Sequence, residues 1–307
     1  MTSVPDAGLC LAVDVGGTKM AAALVDRAGS PSGRASVPTP AGADAETLFA
    51  ALASVVDEAR RQADKRPVVA CGVGCGGPMA PGGAAVSPLN IPGWRDFPLR
   101  ARITALTELP TAVDNDAKAL ALGEGWRGAA QGCDDFLAMV VSTGVGGGIV
   151  LEGRLLQGAE GNAGHVGHVV VEPQGRRCVC GGRGCLEAEA SGLAIEALTG
   201  RPPAEAPPEI VERCGRLVGR AVASVANLLD LRLAVVAGSV ALGFGAPFFA
   251  AAQAELAERA RLSFSHQARI VPAGLGADGP LVGAAAVGWS HLDRLADEAG
   301  GVEEVRP

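Results

Sequence analysis

Short apolar segments alternate with segments of helical periodicity along this chain, a pattern that predicts an α/β protein. Residues 9–15 form an apolar run with Asp14 near its end, and residues 20–25 form a second run after four intervening positions. Those four positions, Gly16-Gly17-Thr18-Lys19, predict a hairpin turn in which both glycines have positive φ.

The same arrangement recurs about 125 residues later, where apolar runs at 136–142 and 147–151 flank another glycine turn. Irregular connections are predicted at 77–98, 153–187 and 201–208, which are rich in proline or glycine. The repeated hairpin predicts two similar α/β domains around a cleft, where small ligands tend to bind. The other predicted elements are helices at 43–63, 116–127 and 247–261, from Val211 and from 279, and strands at 68–73, 111–113, 233–237 and 269–271.

Composition and charge narrow the possible functions. Hydrophobic residues make up 48% of the 307 positions and charged residues 19%, which is typical of a globular protein. A net charge of −7 argues against a nucleic-acid-binding surface. No signal peptide is predicted, so we expect a cytoplasmic protein. The uncharged stretch 233–254 has the length of a membrane span, but its glycines and Pro247 predict a strand, a loop and a helix instead.

The eight cysteines indicate a metal site rather than disulfides. Cys178, Cys180 and Cys185 fall within eight residues, too close together for an ordinary disulfide framework. With His168 they form a Cys₃His set, which is the composition of a closed tetrahedral site, and we predict a structural zinc ion. The other five are predicted to be buried thiols: Cys10, Cys71, Cys75, Cys133 and Cys214.

Both glycine turns are candidates for phosphate binding. The chain has no GxxxxGK[ST] sequence, and its GxGxxG matches at 72–77 and 274–279 lack the context of a dinucleotide site. Asp14 beside a turn with backbone N–H groups and the Thr18 hydroxyl suits a phosphate with its magnesium, although a plain hairpin would have the same sequence. Three consecutive glycines within 142–148 favour the close approach of a nucleotide phosphate.

The triplet Asp114-Asn115-Asp116 lies between a predicted strand and a predicted helix. A carboxylate there is suited to accept a proton from a substrate hydroxyl, and the neighbouring amide is suited to orient that hydroxyl. Helix capping by Asp or Asn explains the same residues equally well.

Six motifs together resemble the ROK family, whose name stands for repressors, open reading frames and kinases. They are DVGGTK at 14–19, NIPGW at 90–94, DNDA at 114–117, STGVGGG at 142–148, GHVGH at 164–168 and CVCGGRGCLE at 178–187. The resemblance covers essentially the whole chain. It implies the two-domain actin-like ATPase fold (ribonuclease H-like, as in actin, Hsp70 and hexokinase). Residues 1–116, joined by a helix at 285–307, would form one domain, and residues 117–284 a larger, zinc-binding one.

The resemblance also implies an ATP-dependent sugar kinase that is a homodimer or homotetramer. Asp116 would be the general base that accepts the proton of a hexose 6-hydroxyl. The zinc would hold the loop that carries His168 and Glu187. The residues expected around ATP and Mg²⁺ are Asp14, Gly16, Gly17, Thr18, Lys19, Thr143, Gly144, Gly146, Gly147, Gly238 and Ser239. Those expected at the sugar are Gly77, Asn90, Asn115, Asp116, His165, His168 and Glu187.

His165 departs from the pattern of the family's glucokinases, which usually carry glutamate at this position. A histidine there is similar to bacterial N-acetylmannosamine kinases, so His165 is expected to shift preference at C2 of the sugar. Alternatively, it replaces one hydrogen-bond partner with another and glucose still binds. The NIPGW loop is closer to the glucokinase branch, which leaves glucose, N-acetylmannosamine and N-acetylglucosamine all open.

Three other functions agree less well with the sequence than a kinase does. Repressors of the family carry a helix-turn-helix domain ahead of the first strand, and a strand that begins at Leu9 leaves no room for one. A catalytically weak sugar sensor is disfavoured by the retention of Asp116 with both glycine turns. A polyphosphate-dependent kinase is expected to have additional basic surface, which the sequence does not indicate.

Overall fold

The computed structural model describes residues 8–301 of the chain. Within them, contacts define two compact units. Unit 1 contains the residues up to Arg127, Gly158–Asn162 and those from Ala277 onward, and unit 2 contains Gly128–Gln157 and Ala163–Gly276. The ends of the expected domains, residues 1–7 and 302–307, lie outside the described residues.

The elements alternate between strands and helices in both units. In chain order the strands are β1 (Leu9–Val15), β2 (Lys19–Asp26), β3 (Pro31–Pro38), β4 (Val68–Cys75), β5 (Thr111–Asn115), β6 (Phe136–Val141), β7 (Val145–Leu151), β8 (Arg154–Leu155), β9 (Leu233–Ala237) and β10 (Arg269–Pro272). The helices are α1 (Ala45–Arg61), α2 (Leu99–Thr107), α3 (Asp116–Arg127), α4 (Leu186–Ala190), α5 (Gly192–Thr199), α6 (Pro208–Leu229), α7 (Ser239–Phe244), α8 (Ala246–Arg259) and α9 (Gly279–Gly301).

Each unit contains a five-stranded mixed sheet, and the two sheets have the same topology. In unit 1 the order is β3-β2-β1-β4-β5. In this sheet β2 is antiparallel to both of its neighbours, β1 and β3, and β4 is parallel to both of its neighbours, β1 and β5. In unit 2 the order is β10-β9-β6-β7-β8, with the corresponding pairings. The prediction of a duplicated α/β architecture is therefore confirmed.

Alternation along β1 gives the unit 1 sheet two different faces. Leu11 and Val13 pack in a core with Leu52 of α1, whereas Cys10 and Ala12 pack in a core with α9. Since successive side chains of a strand point to opposite faces, Asp14 lies on the face of Cys10 and Ala12. The strand therefore carries its one carboxylate to the edge of the α9 face.

Several expectations about local structure were wrong. Within the described residues, six elements were not predicted from the sequence: β3, β8, α2, α4, α5 and α7. Gly16 and Gly17 do not have positive φ, so the turn requires glycine for another reason, described below. Cys133 is partly exposed, whereas the other four cysteines outside the cluster are buried as predicted.

The uncharged stretch 233–254 forms β9, α7 and part of α8, so the strand and the last helix were predicted correctly, whereas helix α7 occupies most of the predicted loop. Among the helices of residues 8–301, we find none with the length and apolar character needed to cross a membrane.

Candidate active site and metal centre

Three neighbouring strands of unit 1 carry an acidic residue or a glycine one position before their carboxyl ends. The register aligns Asp14 of β1 with Gly74 of β4, and Gly74 with Asp114 of β5. A Cβ on Gly74 would lie 3.9 Å from Asp14 Oδ1 and 3.7 Å from the Cα of Asp116, the first residue of α3. Parallel strand ends thus bring together Asp14 and Asp116, which are far apart in the sequence.

Burial and the nearby carboxylate both change the acidity of Asp14. Burial, followed by the negative charge of Asp116, raises the pKa of Asp14 to about 7, and the ammonium of Lys19 acts in the opposite direction. A carboxyl group with such a pKa near a second carboxylate is characteristic of functional sites.

The first glycine turn is packed too tightly for side chains. A Cβ on Gly16 would lie 2.9 Å from the carbonyl oxygen of Lys19, and a Cβ on Gly17 would lie 2.7 Å from Nδ2 of Asn90. Thr39 fixes the turn from the end of β3, because its Oγ1 donates to Gly16 O at 2.7 Å and its N–H to Thr18 O at 3.0 Å. The turn therefore requires glycine at position 17 because Asn90 lies against it, and not because of a positive φ.

Two residues for which no role was predicted from the sequence hold the loop that carries Asn90. The guanidinium of Arg95 donates from Nη1 to the carbonyl oxygens of Pro88, Ile91 and Trp94. Trp94 is fully buried, donates from Nε1 to Ala45 O at 3.2 Å and stacks on Phe97. The loop geometry thus depends on one cation and one aromatic anchor.

Asn115, the last residue of β5, and Asp116, the first residue of α3, both cap the start of the helix. The N–H of Ala117 donates to Asn115 Oδ1 at 3.0 Å and to Asp116 Oδ1 at 2.8 Å, so both side chains do cap the helix. Asp116 is nevertheless exposed, and a Cβ on Gly77 would lie 3.5 Å from Asn115 Nδ2. Unit 1 therefore collects Asp14, the first turn and these residues at one end of its sheet.

In unit 2, the second glycine turn borders a cavity of about 590 Å³. Ser142 Oγ lies 2.9 Å from Ser239 Oγ, which joins the turn to the start of α7. Gly238 precedes that helix with φ of +100°, and a Cβ there would lie 2.2 Å from Val141 O. Thr143 and Ser239 line the cavity together with Gly192, Leu193, Glu196, Pro202, Pro203, Ala204, Ala206, Val211, Val240, Gly243 and Phe244.

The glycines of this turn make room for protein atoms. A Cβ on Gly144 would lie 2.8 Å from Glu187 Oε2, which accepts the N–H of Val145 at 2.9 Å. A Cβ on Gly147 would lie 2.7 Å from Val166 Cγ2, in the segment that follows His165. Gly146 and Gly147 both lie within β7. The glycine run therefore brings Glu187 and the His165 segment against the turn, a reason that the sequence analysis did not anticipate.

His168, Cys178, Cys180 and Cys185 form a compact cluster. Their candidate ligand atoms all lie within 4.8 Å of one another. Cys180 Sγ is 3.7 Å from Cys185 Sγ, and Cys178 Sγ is 3.7 Å from His168 Nδ1. With Zn–S bonds of about 2.3 Å, tetrahedral ligand atoms are separated by about 3.8 Å, so the four side chains fit a zinc ion. Ligation through Nδ1 would leave His168 Nε2 for another partner.

The thiols of the cluster also affect one another. Burial and the thiols of Cys178 and Cys180 raise the pKa of Cys185 to about 12. The N–H of Gly182 and the thiols of Cys178 and Cys185 lower the pKa of Cys180. The four ligands alternate between buried and accessible positions, with Cys180 exposed. The cluster therefore lies at the surface of unit 2, where it would fix a loop.

A buried ion pair, also not predicted, supports the cysteine loop. Glu189 is 3% exposed and accepts hydrogen bonds at 2.5 Å from the N–H of Arg176 and from Nη2 of Arg213. Arg213 lies on α6. The pair therefore connects the beginning of the cysteine loop to the longest helix of unit 2.

We predict that Asp14→Asn changes the pH dependence of stability. Because the pKa is raised in the folded state from 3.8 to about 7, Asp14 favours folding below pH 4 and loses this contribution as the pH rises through 7. Relative to the wild type, Asp14→Asn should therefore gain about 2–4 kcal/mol in free energy of unfolding between pH 4 and pH 8. Denaturant titrations at each pH measure the difference. The exposed control Asp57→Asn should show none, and a parallel profile for Asp14→Asn would contradict the prediction.

We also predict about one zinc ion per chain in the purified protein, because the ligand set is complete. Elemental analysis should find the metal in the wild type and in Cys133→Ser, whose cysteine lies outside the cluster. Cys185→Ser should lose most of it, and a chelator should lower the thermal stability of the wild type to that of this variant. Equal metal content in Cys185→Ser and Cys133→Ser would rule out the assigned ligands.

Comparisons with known proteins agree with these observations. The ROK family model matches residues 10–289. The N-acetylmannosamine kinase of Yersinia pseudotuberculosis is 38% identical over 253 residues, which cover 78% of this chain and 85% of that protein.

Two solved structures are also similar to this chain. The ROK hexokinase from Thermus thermophilus has 35% identity and a TM-score of 0.80, with 93% of this chain and 99% of that one covered. The ROK family glucokinase from Streptomyces griseus, in complex with glucose and AMPPNP, has 30% identity and a TM-score of 0.79, with 92% and 100% covered. The chain therefore belongs to the ROK family and has the actin-like ATPase fold of the family's sugar kinases.

Proposed function

We propose that this protein is a kinase that transfers the γ-phosphoryl group of ATP to the 6-hydroxyl of a hexose, either glucose or an N-acetylhexosamine such as N-acetylmannosamine. The observation that carries the proposal is the exposed carboxylate of Asp116, held at a strand end beside Asn115 and Asp14. Relatives that are N-acetylmannosamine kinase and glucokinase support the reaction class and leave these sugars as the candidates.

In the proposed mechanism, Asp116 is the general base. Its Oδ1 is fixed by the N–H of Ala117, and the side chain is accessible to a hydroxyl group. As the 6-oxygen attacks the γ-phosphorus, the proton of the hydroxyl passes to Asp116 and the bond to the ADP oxygen breaks. Phosphoryl transfer depends chiefly on alignment and charge neutralisation, with a moderate contribution from the base.

Unit 1 offers groups for both the phosphates and the sugar. Asp14 would hold Mg²⁺, which neutralises phosphate charge when bound, while the turn at Gly16 to Lys19 would supply N–H groups and an ammonium. Asn90, Asn115 and Gly77 are proposed sugar contacts. Asn90 packs against Gly17 of the turn, so these two parts of unit 1 are positioned together.

The cavity of unit 2 supports ATP as the donor. Its walls are mostly apolar, and the one charged residue among its lining residues is the acidic Glu196. An apolar pocket with few polar groups suits a purine base, whereas a polyphosphate chain requires cations. Thr143 to Gly147, Gly238 and Ser239 are the residues proposed to bind the nucleotide in this unit.

His165, His168 and Glu187 are the sugar contacts proposed for unit 2. His165 is exposed, and its ring lies nearly parallel to that of His168 with centroids 6.2 Å apart. We propose that His165 favours a sugar with a 2-acetamido group, because its ring presents an N–H donor or an acceptor where a glutamate would present only acceptors.

The first experiment is an ADP-release assay with Mg-ATP on glucose, N-acetylmannosamine, N-acetylglucosamine and mannose. We expect turnover of at least one sugar, and His165→Glu should shift the ratio of kcat/KM for glucose over N-acetylmannosamine by about tenfold or more. The exposed control His266→Glu should leave the ratio unchanged. An unchanged ratio in His165→Glu would mean that His165 does not affect the choice between the two sugars. No turnover of any sugar by the folded, metal-loaded wild type would favour a sugar sensor.

We further predict that Asp116→Asn lowers kcat about 10²–10⁴-fold, because the amide cannot accept the proton of the hydroxyl. The Kd for the sugar, measured by calorimetry, should change little, since Asn115 and Asn90 remain. Asp57→Asn serves as the control. Full turnover by Asp116→Asn would exclude Asp116 as the base.

A further inference from the structure

Lys118 is buried beside the proposed base, and neither the family motifs nor the mechanism explains it. It lies on α3 two residues after Asp116 and is 1% exposed. A lysine is almost never buried to this degree unless its ammonium is paired. What the ammonium contacts therefore indicates what it does.

The ammonium joins a strand end to a loop. Nζ lies 3.0 Å from Asp114 Oδ1, at the carboxyl end of β5, and donates to the carbonyl oxygen of Gly161 at 2.9 Å. The pair with Asp114 lies in a mostly buried environment, since the two side chains are 2% and 16% exposed. An ordinary helix-surface ion pair would need neither the burial nor the contact with Gly161.

Gly161 belongs to a short loop, residues 158–162, which groups with unit 1 by its contacts. Asn162 Nδ2 donates to Met79 O at 3.4 Å, and a Cβ on Gly161 would lie 3.9 Å from Pro81 Cα. Met79 lies two residues after Gly77, where an added Cβ would lie 3.5 Å from Asn115 Nδ2. The loop thus lies along the segment that flanks the proposed sugar-binding residues of unit 1.

We propose that Lys118 is a positioning residue for the sugar: its ammonium holds loop 158–162 against the strand end that bears Asn115 and Asp116, so that the loop forms one wall of the sugar site. This inference rests on the proposed kinase function. A neutral side chain at position 118 would leave Gly161 O without its donor and Asp114 without its counter-charge. The loop would then separate from residues 79–81.

Proteolysis can measure how firmly the loop is held, because Glu160 is exposed and is a cleavage site for a glutamate-specific protease. We expect Lys118→Met, without bound ligands, to be cut after Glu160 about tenfold faster than the wild type, as identified by the masses of the fragments. The control Lys65→Met removes an exposed lysine and should be cut at the wild-type rate. Equal rates for Lys118→Met and the wild type would overturn the proposal.

The KM values of Lys118→Met distinguish a residue that positions the sugar from one that only stabilises the fold. Lys118→Met should raise the KM for the sugar about 10- to 100-fold, since a displaced wall misplaces the acceptor. The KM for ATP should stay within about twofold, because the contacts of Lys118 with Asp114 and with Gly161 involve no residue proposed to bind the nucleotide. Faster cleavage with an unchanged sugar KM would reduce Lys118 to a structural residue and overturn its positioning role.

A measurement on the wild type covers the case in which Lys118→Met does not fold. Saturating amounts of a sugar that the enzyme phosphorylates should slow cleavage after Glu160, whereas ATP alone should not. Equal rates with and without sugar would contradict the loop's place at the sugar site. If the wild type phosphorylates no sugar, the proposed function fails, while the ligand-free cleavage comparison still tests whether Lys118 holds the loop.

Discussion

The approach of both Asp14 and Asp116 to Gly74 is the constraint on which the proposed site in unit 1 depends. Burial and, after it, the negative charge of Asp116 disfavour the ionised form of Asp14 and raise its pKa. The arrangement exists because β1, β4 and β5 fix both backbones, and because Gly74 places no side chain between them. The turn, Asn90 and the capping of α3 are then arranged around this pair.

The parts of the fold that could be predicted from the sequence are those in which burial and periodicity agree. β9 is apolar throughout and α6 has a long amphipathic pattern, so both are evident without a structure. β3 was missed because its sequence, PSGRASVP, alternates between exposed and half-buried small or polar residues and depends on β2 for pairing. α2 buries only Leu99, Ile103 and Thr107, which gives a weak helical signal.

The candidate site shows a similar division between local and long-range information. The four metal ligands lie within a short stretch of sequence, so their grouping was predictable from spacing alone. The close approach of Gly17 to Asn90 joins distant positions, so a positive φ, which Gly17 does not have, was expected from the sequence instead. Arg95, Lys118 and Glu189 were not singled out because arginine, lysine and glutamate are usually surface residues. Burial distinguishes Lys118 and Glu189, whereas Arg95 is exposed and is distinguished by its hydrogen bonds to loop carbonyls.

These three charged residues have a common physical role. Arg95 binds carbonyl oxygens of the Asn90 loop, Lys118 binds loop 158–162, and Glu189 binds the cysteine loop. Buried ion pairs contribute little net stability, because desolvation offsets their attraction. Once formed, however, charge-assisted hydrogen bonds are short and directional, and removal of one partner leaves the other unsatisfied. A loop held in this way has one favoured position, and a binding site made from irregular loops needs that restriction more than it needs additional stability.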